Sequence, residues 1–133
     1  MVYRIGIDTG TITGYAIMKD GKLIRIGQGG IHEAMDMVRA IMMTAVSLHV
    51  VVEDARLRKW FGNNSEAKKQ GAGSIKRDCK IWDDYLKWLE VSYEMKHPIR
   101  GGTKLTPEMF ERLTGFKTKK GESHARDAAM LII

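Results

Sequence analysis

Short apolar runs dominate the first thirty residues, and helical spacing takes over after them. Residues 2 to 8, VYRIGID, read as a strand that ends on a bare carboxylate, Asp8. Small residues follow, then a second strand over Gly14 to Met18 and a third over Lys22 to Gly27. Asp20-Gly21 between the last two is a hairpin signal, because both central positions of that tight turn need positive φ. From 31 to 48 the period changes. Ile31, Ala34, Met35, Val38, Ile41, Met42 and Ala45 recur at helical spacing and define one apolar face. HVVVEDA, 49 to 55, is a continuous apolar run that suits a strand buried on both faces, and it closes on Glu53 and Asp54.

The stretch from Arg56 to Gly73 is basic and glycine-containing and reads as a long loop. A helix is expected from Ser74 to about Glu90, with Ile75, Cys79, Trp82, Leu86 and Leu89 on one stripe. VSYEM, 91 to 95, reads as a fifth strand, and HPIRGGTK as a turn-rich connection. Thr106-Pro107-Glu108 has the chemistry of a helix start and Gly115 that of its end. A last helix covers ESHARDAAMLII, 122 to 133. Three early strands in hairpins, then alternating strand and helix, predict an α/β fold with a five-stranded sheet of mixed direction flanked by helices.

Composition narrows the setting. The 133 residues make one domain, 1–133, and are enough to bury a real core without staples. The one cysteine, Cys79, excludes an internal disulfide and suits a reducing compartment. No run of ~18 apolar residues and no signal-peptide pattern is present. The expectation is a soluble intracellular protein with no membrane partner. A formal charge of +6 and a pI of about 9.5 favour a polyanionic partner without establishing one.

Three acidic positions stand out. Asp8 ends the first strand and Glu53 the fourth. Asp127 lies in the final helix, one turn after His124, so the two share a face at i, i+3. If the first and fourth strands are neighbours, Asp8 and Glu53 converge at one end of the sheet. A terminal helix packed beside that end adds Asp127 and His124. Carboxylates at close range repel and raise one another's pKa, a conflict that Mg²⁺ or Mn²⁺ resolves. Two such ions ~3.5–4 Å apart support phosphodiester cleavage. Taken singly, each residue has an ordinary alternative: a turn-forming Asp, a solvated Glu, a surface His/Asp pair. Their joint placement favours the cluster.

GIDTGTITGYAI is similar to the opening strand-turn-strand of the RuvC family of Holliday-junction resolvases. VVVE is similar to that family's second acidic strand. NNSEAKKQGAGSIKRDCKIWDDYL resembles its loop entering the long middle helix, and LTPEMFERLTGFKTKKGESHARDAA its last acidic helix and the segment before it. The resemblance covers nearly the whole chain in order, and the chain looks like a compact phage-type member. It implies an RNase H-like fold and metal ligands at Asp8, Glu53 and Asp127. His124 falls where the family carries another acidic residue or a histidine, able to bind the second metal or assist the attacking water. It also implies a homodimer that nicks paired strands of four-way junctions, with forks and flaps as further branched substrates. The setting it implies is the cytoplasm of a bacterial cell, or of the host if the chain is phage-encoded. Thr9 stands where the family often has proline.

The basic residues gather near these elements. Arg56, Arg58, Lys59, Lys68 and Lys69 crowd the stretch after Glu53. Lys76, Arg77 and Lys80 begin the middle helix, and Lys117, Lys119 and Lys120 precede the last one. Their positions suit contacts with phosphates flanking a scissile bond, against the plainer reading of a solvated face. Trp60 and Phe61 either stack on an unpaired base or pack back to pin the loop. Gln70, Gly71 and Gly73 either admit DNA backbone or only permit a turn, and the glycines after Asp8 leave room for a phosphodiester.

Three other readings compete. IDTGT…G is similar to the first phosphate loop of the sugar-kinase, actin and Hsp70 superfamily, but no second phosphate loop is visible, so no nucleotide cofactor is expected. Another RNase H-like nuclease, acting on RNA or an RNA–DNA hybrid, fits the same acidic cluster. A non-enzymatic DNA-binding module leaves Asp8, Glu53 and Asp127 unexplained.

Overall fold

A computed structural model describes residues 1–57, 66–98 and 105–133, and for Leu57 and residues 66–72 it describes the backbone alone. The first three strands, β1 (Val2–Asp8), β2 (Thr13–Lys19) and β3 (Lys22–Gly29), form an antiparallel meander. Asp20 and Gly21 at the β2–β3 turn both take positive φ, 50° and 82°. Helix α1 (Ile31–Thr44), strand β4 (Ser47–Glu53), a 3₁₀ turn (Ala55–Leu57), helix α2 (Glu66–Leu89) and strand β5 (Ser92–Lys96) follow. Helices α3 (Pro107–Thr114) and α4 (Ser123–Met130) complete the described elements. The sheet order is β3-β2-β1-β4-β5, with β4 parallel to both of its neighbours. This is the mixed α/β sheet that the strand patterns predict.

Alternation along the strands divides the core between two layers. Ile5, Ile7, Tyr15, Ile17, Val50 and Val52 face α1 and α2, where Ala34, Val38, Trp82 and Leu86 meet them. Ala16, Val51 and Leu23 face the other way, against Phe110 of α3 and Ala128, Ala129 and Ile132 of the C-terminal segment. Val50, Val51 and Val52 are all fully buried, as a central strand covered on both faces requires. The stripe of the middle helix accordingly faces the sheet.

The two largest boundary differences from the sequence reading fall in α1 and α2. Helix α2 begins at Glu66 instead of Ser74, so residues 66 to 73, expected in a loop, are helical. Glu, Ala, Lys, Lys and Gln at 66 to 70 are all strong helix formers, and they outweigh the two glycines behind them. Helix α1 ends at Thr44 instead of 48, because Ser47 already pairs with Val2 and the chain must extend from Ala45. The α3 signals hold in detail. The Thr106 side chain accepts from the Met109 amide, Pro107 opens the helix, and Gly115 closes it at φ 81°. Among the described residues no helix is long and apolar enough to cross a membrane.

Candidate active site

β1 and β4 run parallel in a register that pairs Ile7 with Val52. Asp8 and Glu53 come next on each strand and so stand at the carboxyl end of the parallel pair, where open α/β sheets place their sites. His124, in the first turn of α4, brings Nδ1 to 3.0 Å from Asp8 Oδ2. The charges of Glu53 and Asp127 both act on Asp8. The structure thus brings together all four residues singled out in the sequence, Asp8, Glu53, His124 and Asp127.

Asp8 bears the electrostatic consequence. Its side chain is only 14% exposed. Burial pushes its carboxyl up from 3.8 to about 6, the bond from His124 opposes the rise, and the neighbouring Glu53 and Asp127 add to it.

Two strand glycines explain how α4 reaches this corner. A Cβ on Gly14 would overlap the His124 carbonyl, and one on Gly6 would overlap the Ala128 carbonyl. The helix therefore rests directly on the backbone of β1 and β2, through Ala125, Ala128 and Ala129, which are fully buried. The space at Gly14 that the sequence reading left for a phosphodiester is filled by α4 instead. Glycine inside a strand, followed far along the chain by an alanine-rich helix, was the signal for this approach.

Other bonds fix the two strand ends. Thr9 Oγ1 donates to the Glu53 carbonyl at 3.4 Å and lies 3.4 Å from the buried Cys79 sulfur, which links β1, β4 and α2. Thr13 Oγ1 donates to the Gly10 carbonyl at 3.0 Å and closes the turn after Asp8. Just beyond Glu53, the Arg56 guanidinium makes two bonds to Asp54, at 2.8 and 2.9 Å, and one to Asp83 at 3.3 Å. Tyr93 donates to Asp83 at 2.6 Å. The guanidinium holds Asp54 below the usual carboxylate range, and the Tyr93 hydroxyl does the same for Asp83. This network, which sequence reasoning did not find, ties the end of β4 to α2 and β5. It also engages Arg56 inside the protein, although the sequence had placed that residue with the DNA contacts.

The remaining basic candidates divide into three groups. Arg58, Lys59, Trp60 and Phe61 lie outside the described residues. Lys68 and Lys69 ride on α2 and not on a loop. Lys76, Arg77 and Lys80 are exposed on α2, where Lys80 pairs with Asp84 at 2.6 Å and Arg77 with Asp78 at 3.7 Å. Lys117, Lys119 and Lys120 are exposed on the segment leading into α4.

Among the described residues no three His, Cys, Asp or Glu side chains are gathered, as they stand, into a group that could hold a metal ion. The chemistry of the four nevertheless fits a hard divalent cation. Three are carboxylates, the fourth is an imidazole, and the largely buried Asp8 carboxylate is held in an unfavourable field of its own sign that a cation relieves.

No protein-family model matches the sequence, and no curated protein does. Among solved structures, the chain is similar to Thermus thermophilus RuvC, solved in complex with a Holliday junction substrate. The match has a TM-score of 0.60 at 16% identity, covering 98% of this chain and 90% of that one. The fold is therefore RuvC-like, in agreement with the resemblance seen in the sequence.

Proposed function

We propose that this chain is a metal-dependent, structure-selective endodeoxyribonuclease that nicks Holliday junctions and other branched DNA, acting as a homodimer. The observation that carries this reading is the convergence of Asp8, Glu53, Asp127 and His124 at the carboxyl end of β1 and β4, on a RuvC-like fold. Asp8, Glu53 and Asp127, with His124 as a fourth donor, would hold Mg²⁺, with Mn²⁺ able to substitute, at two ions per site. Such ions, when bound, lower the pKa of water and neutralise charge on the phosphate.

The chain's own residues supply the rest. His124 commits Nδ1 to Asp8, which leaves Nε2 as the ring nitrogen for one of two roles, donor to an ion or, with no ion on it, carrier of a proton at the scissile phosphate. Its side chain is 40% exposed, so solvent and substrate can reach it. Thr9 and Thr13 hold the backbone around Asp8, and the Asp54–Arg56–Asp83 network holds the chain just after Glu53. Lys117, Lys119 and Lys120, with Lys76, Arg77 and Lys80 on α2, give exposed positive charge for phosphates. The expected products carry 5′-phosphate and 3′-hydroxyl ends.

The test is incubation of the protein with a labelled four-way junction, a linear duplex and an RNA–DNA hybrid, with and without Mg²⁺ or Mn²⁺. Metal-dependent nicks confined to the junction support the reading. Cutting of the hybrid with an intact junction replaces it by a ribonuclease role on the same fold.

A further inference from the structure

Arg126 is a buried charge that this reading leaves unused. It sits in α4 between Ala125 and Asp127, and only 5% of its surface is exposed. No ion pair joins it to a carboxylate among the described residues. Instead its guanidinium spreads over backbone and hydroxyl acceptors. Nη1 donates to Thr118 Oγ1 at 2.9 Å and to the Lys119 carbonyl at 2.7 Å. Nη2 donates to the Lys120 carbonyl at 3.2 Å, and Nε to the Leu105 carbonyl at 3.2 Å. A charge taken out of water is tolerated only when its donors are satisfied, and here three consecutive residues do most of that work.

The turn that follows, Lys119 to Glu122, is braced from other sides. The Lys119 amide donates to Glu122 Oε1 at 2.9 Å, and the Glu122 amide returns a bond to the Lys119 carbonyl at 3.0 Å. Gln28, at the end of β3, donates to the Gly121 carbonyl at 2.9 Å and accepts from the Ala125 amide at 3.3 Å. With their carbonyls drawn inward, Lys119 and Lys120 keep exposed side chains, as does Lys117. Lys120 stands four residues before His124. A stretch rich in like charges would spread in solution, yet this one is locked, with a further positive charge beneath it. Such a surface fits an anion of high charge density.

We infer that Arg126 is a positioning residue that clamps the 117–120 segment, so that Lys117, Lys119 and Lys120 meet the substrate's phosphate backbone in fixed register with the carboxylates. The inference rests on the nuclease reading and adds a specific element to it. The clamp donates through a planar fork that an ammonium cannot copy, so Arg126→Lys retains the charge and loses the geometry.

The experiment compares wild type with Arg126→Lys by amide hydrogen exchange, and by KM and kcat on a four-way junction. Faster exchange at residues 117–122, with KM raised roughly ten- to a hundredfold and kcat reduced by less, is the expected result. Unchanged exchange, or an unchanged KM, overturns the clamp. Should Arg126→Lys fail to fold, Thr118→Val removes a single acceptor and is expected to shift both readouts in the same direction by less; no shift there is equally fatal. Wild type that binds no branched DNA removes the nuclease reading itself, whereas equal binding by wild type and Arg126→Lys removes only the clamp.

Discussion

Replacing Asp8 with asparagine is expected to make the metal-free protein more stable, not less. The Asp8 carboxyl titrates near 6 in the folded chain against 3.8 as its ordinary value, chiefly because it is buried. Between those two pH values the folded state binds the proton that the unfolded state has released. Stability is therefore full below about pH 4, falls as pH rises through about 6, and stays reduced above it. The difference corresponds to about 3 kcal/mol against folding at neutral pH. Asparagine has nearly the same shape, keeps an acceptor for His124 Nδ1 and has no charge to desolvate. Allowing for a weaker bond to a neutral acceptor, Asp8→Asn should gain about 2 kcal/mol at pH 7.5, or roughly 6 °C in the unfolding midpoint for a chain of this size. The gain should vanish by about pH 4. The assay is thermal unfolding of both proteins in EDTA from pH 4 to pH 8. A variant no more stable than wild type at pH 7.5, or a difference that does not change with pH, would refute the reasoning. The reversed effect, a stabilising change that removes function, is the trade expected of a residue kept for chemistry.

Adding Mg²⁺ or Mn²⁺ to the same samples should raise the wild-type midpoint and leave Asp8→Asn nearly unmoved, since a ligand stabilises only the state that binds it; equal shifts would separate the ion from the cluster. Gly14→Ala should push α4 off β2 and carry His124 and Asp127 away from Asp8, costing roughly a hundredfold in cleavage and about 1–3 kcal/mol in urea unfolding. Arg56→Met takes the guanidinium from the 3%-exposed Asp54, leaving it the residue-56 amide, and should cost about 3 kcal/mol at pH 7, with the loss shrinking as pH falls below 4 and Asp54 becomes protonated. Lys119→Ala and Lys120→Ala should each flatten the salt dependence of junction binding by about one in slope, as filter binding at several salt concentrations would show.

Much of the fold was legible because its signals are local. Asp20-Gly21 marked the hairpin, Thr106-Pro107 and Gly115 bounded α3, and the apolar run Val50-Val51-Val52 suited a covered strand. The start of α2 was missed because Gly71 and Gly73 suggested a break, whereas helix formers before them and tertiary packing behind them carry the helix through. At the site, Asp8 and Glu53 stood out by position at strand ends, and Asp127 by its helical spacing from His124. Gly6, Gly14 and Arg126 did not, since their roles exist only once α4 lies across β1 and β2. Nothing near them in the chain states that a carbonyl 110 residues away occupies the space. The bonds that engage Arg56 were hidden for the same reason. Asp54 is near in sequence, but Asp83 reaches the guanidinium, and Tyr93 reaches Asp83, only through the tertiary fold.

The central claim is that the carboxylate cluster cuts branched DNA. It is tested most directly by single-turnover cleavage of a four-way junction in Mg²⁺ by wild type, Glu53→Gln and Asp127→Asn, with binding measured on the same preparations. Both variants are expected to lose cutting while binding the junction as tightly as wild type or more so, because less negative charge faces the phosphates. Full cutting by either variant would contradict it.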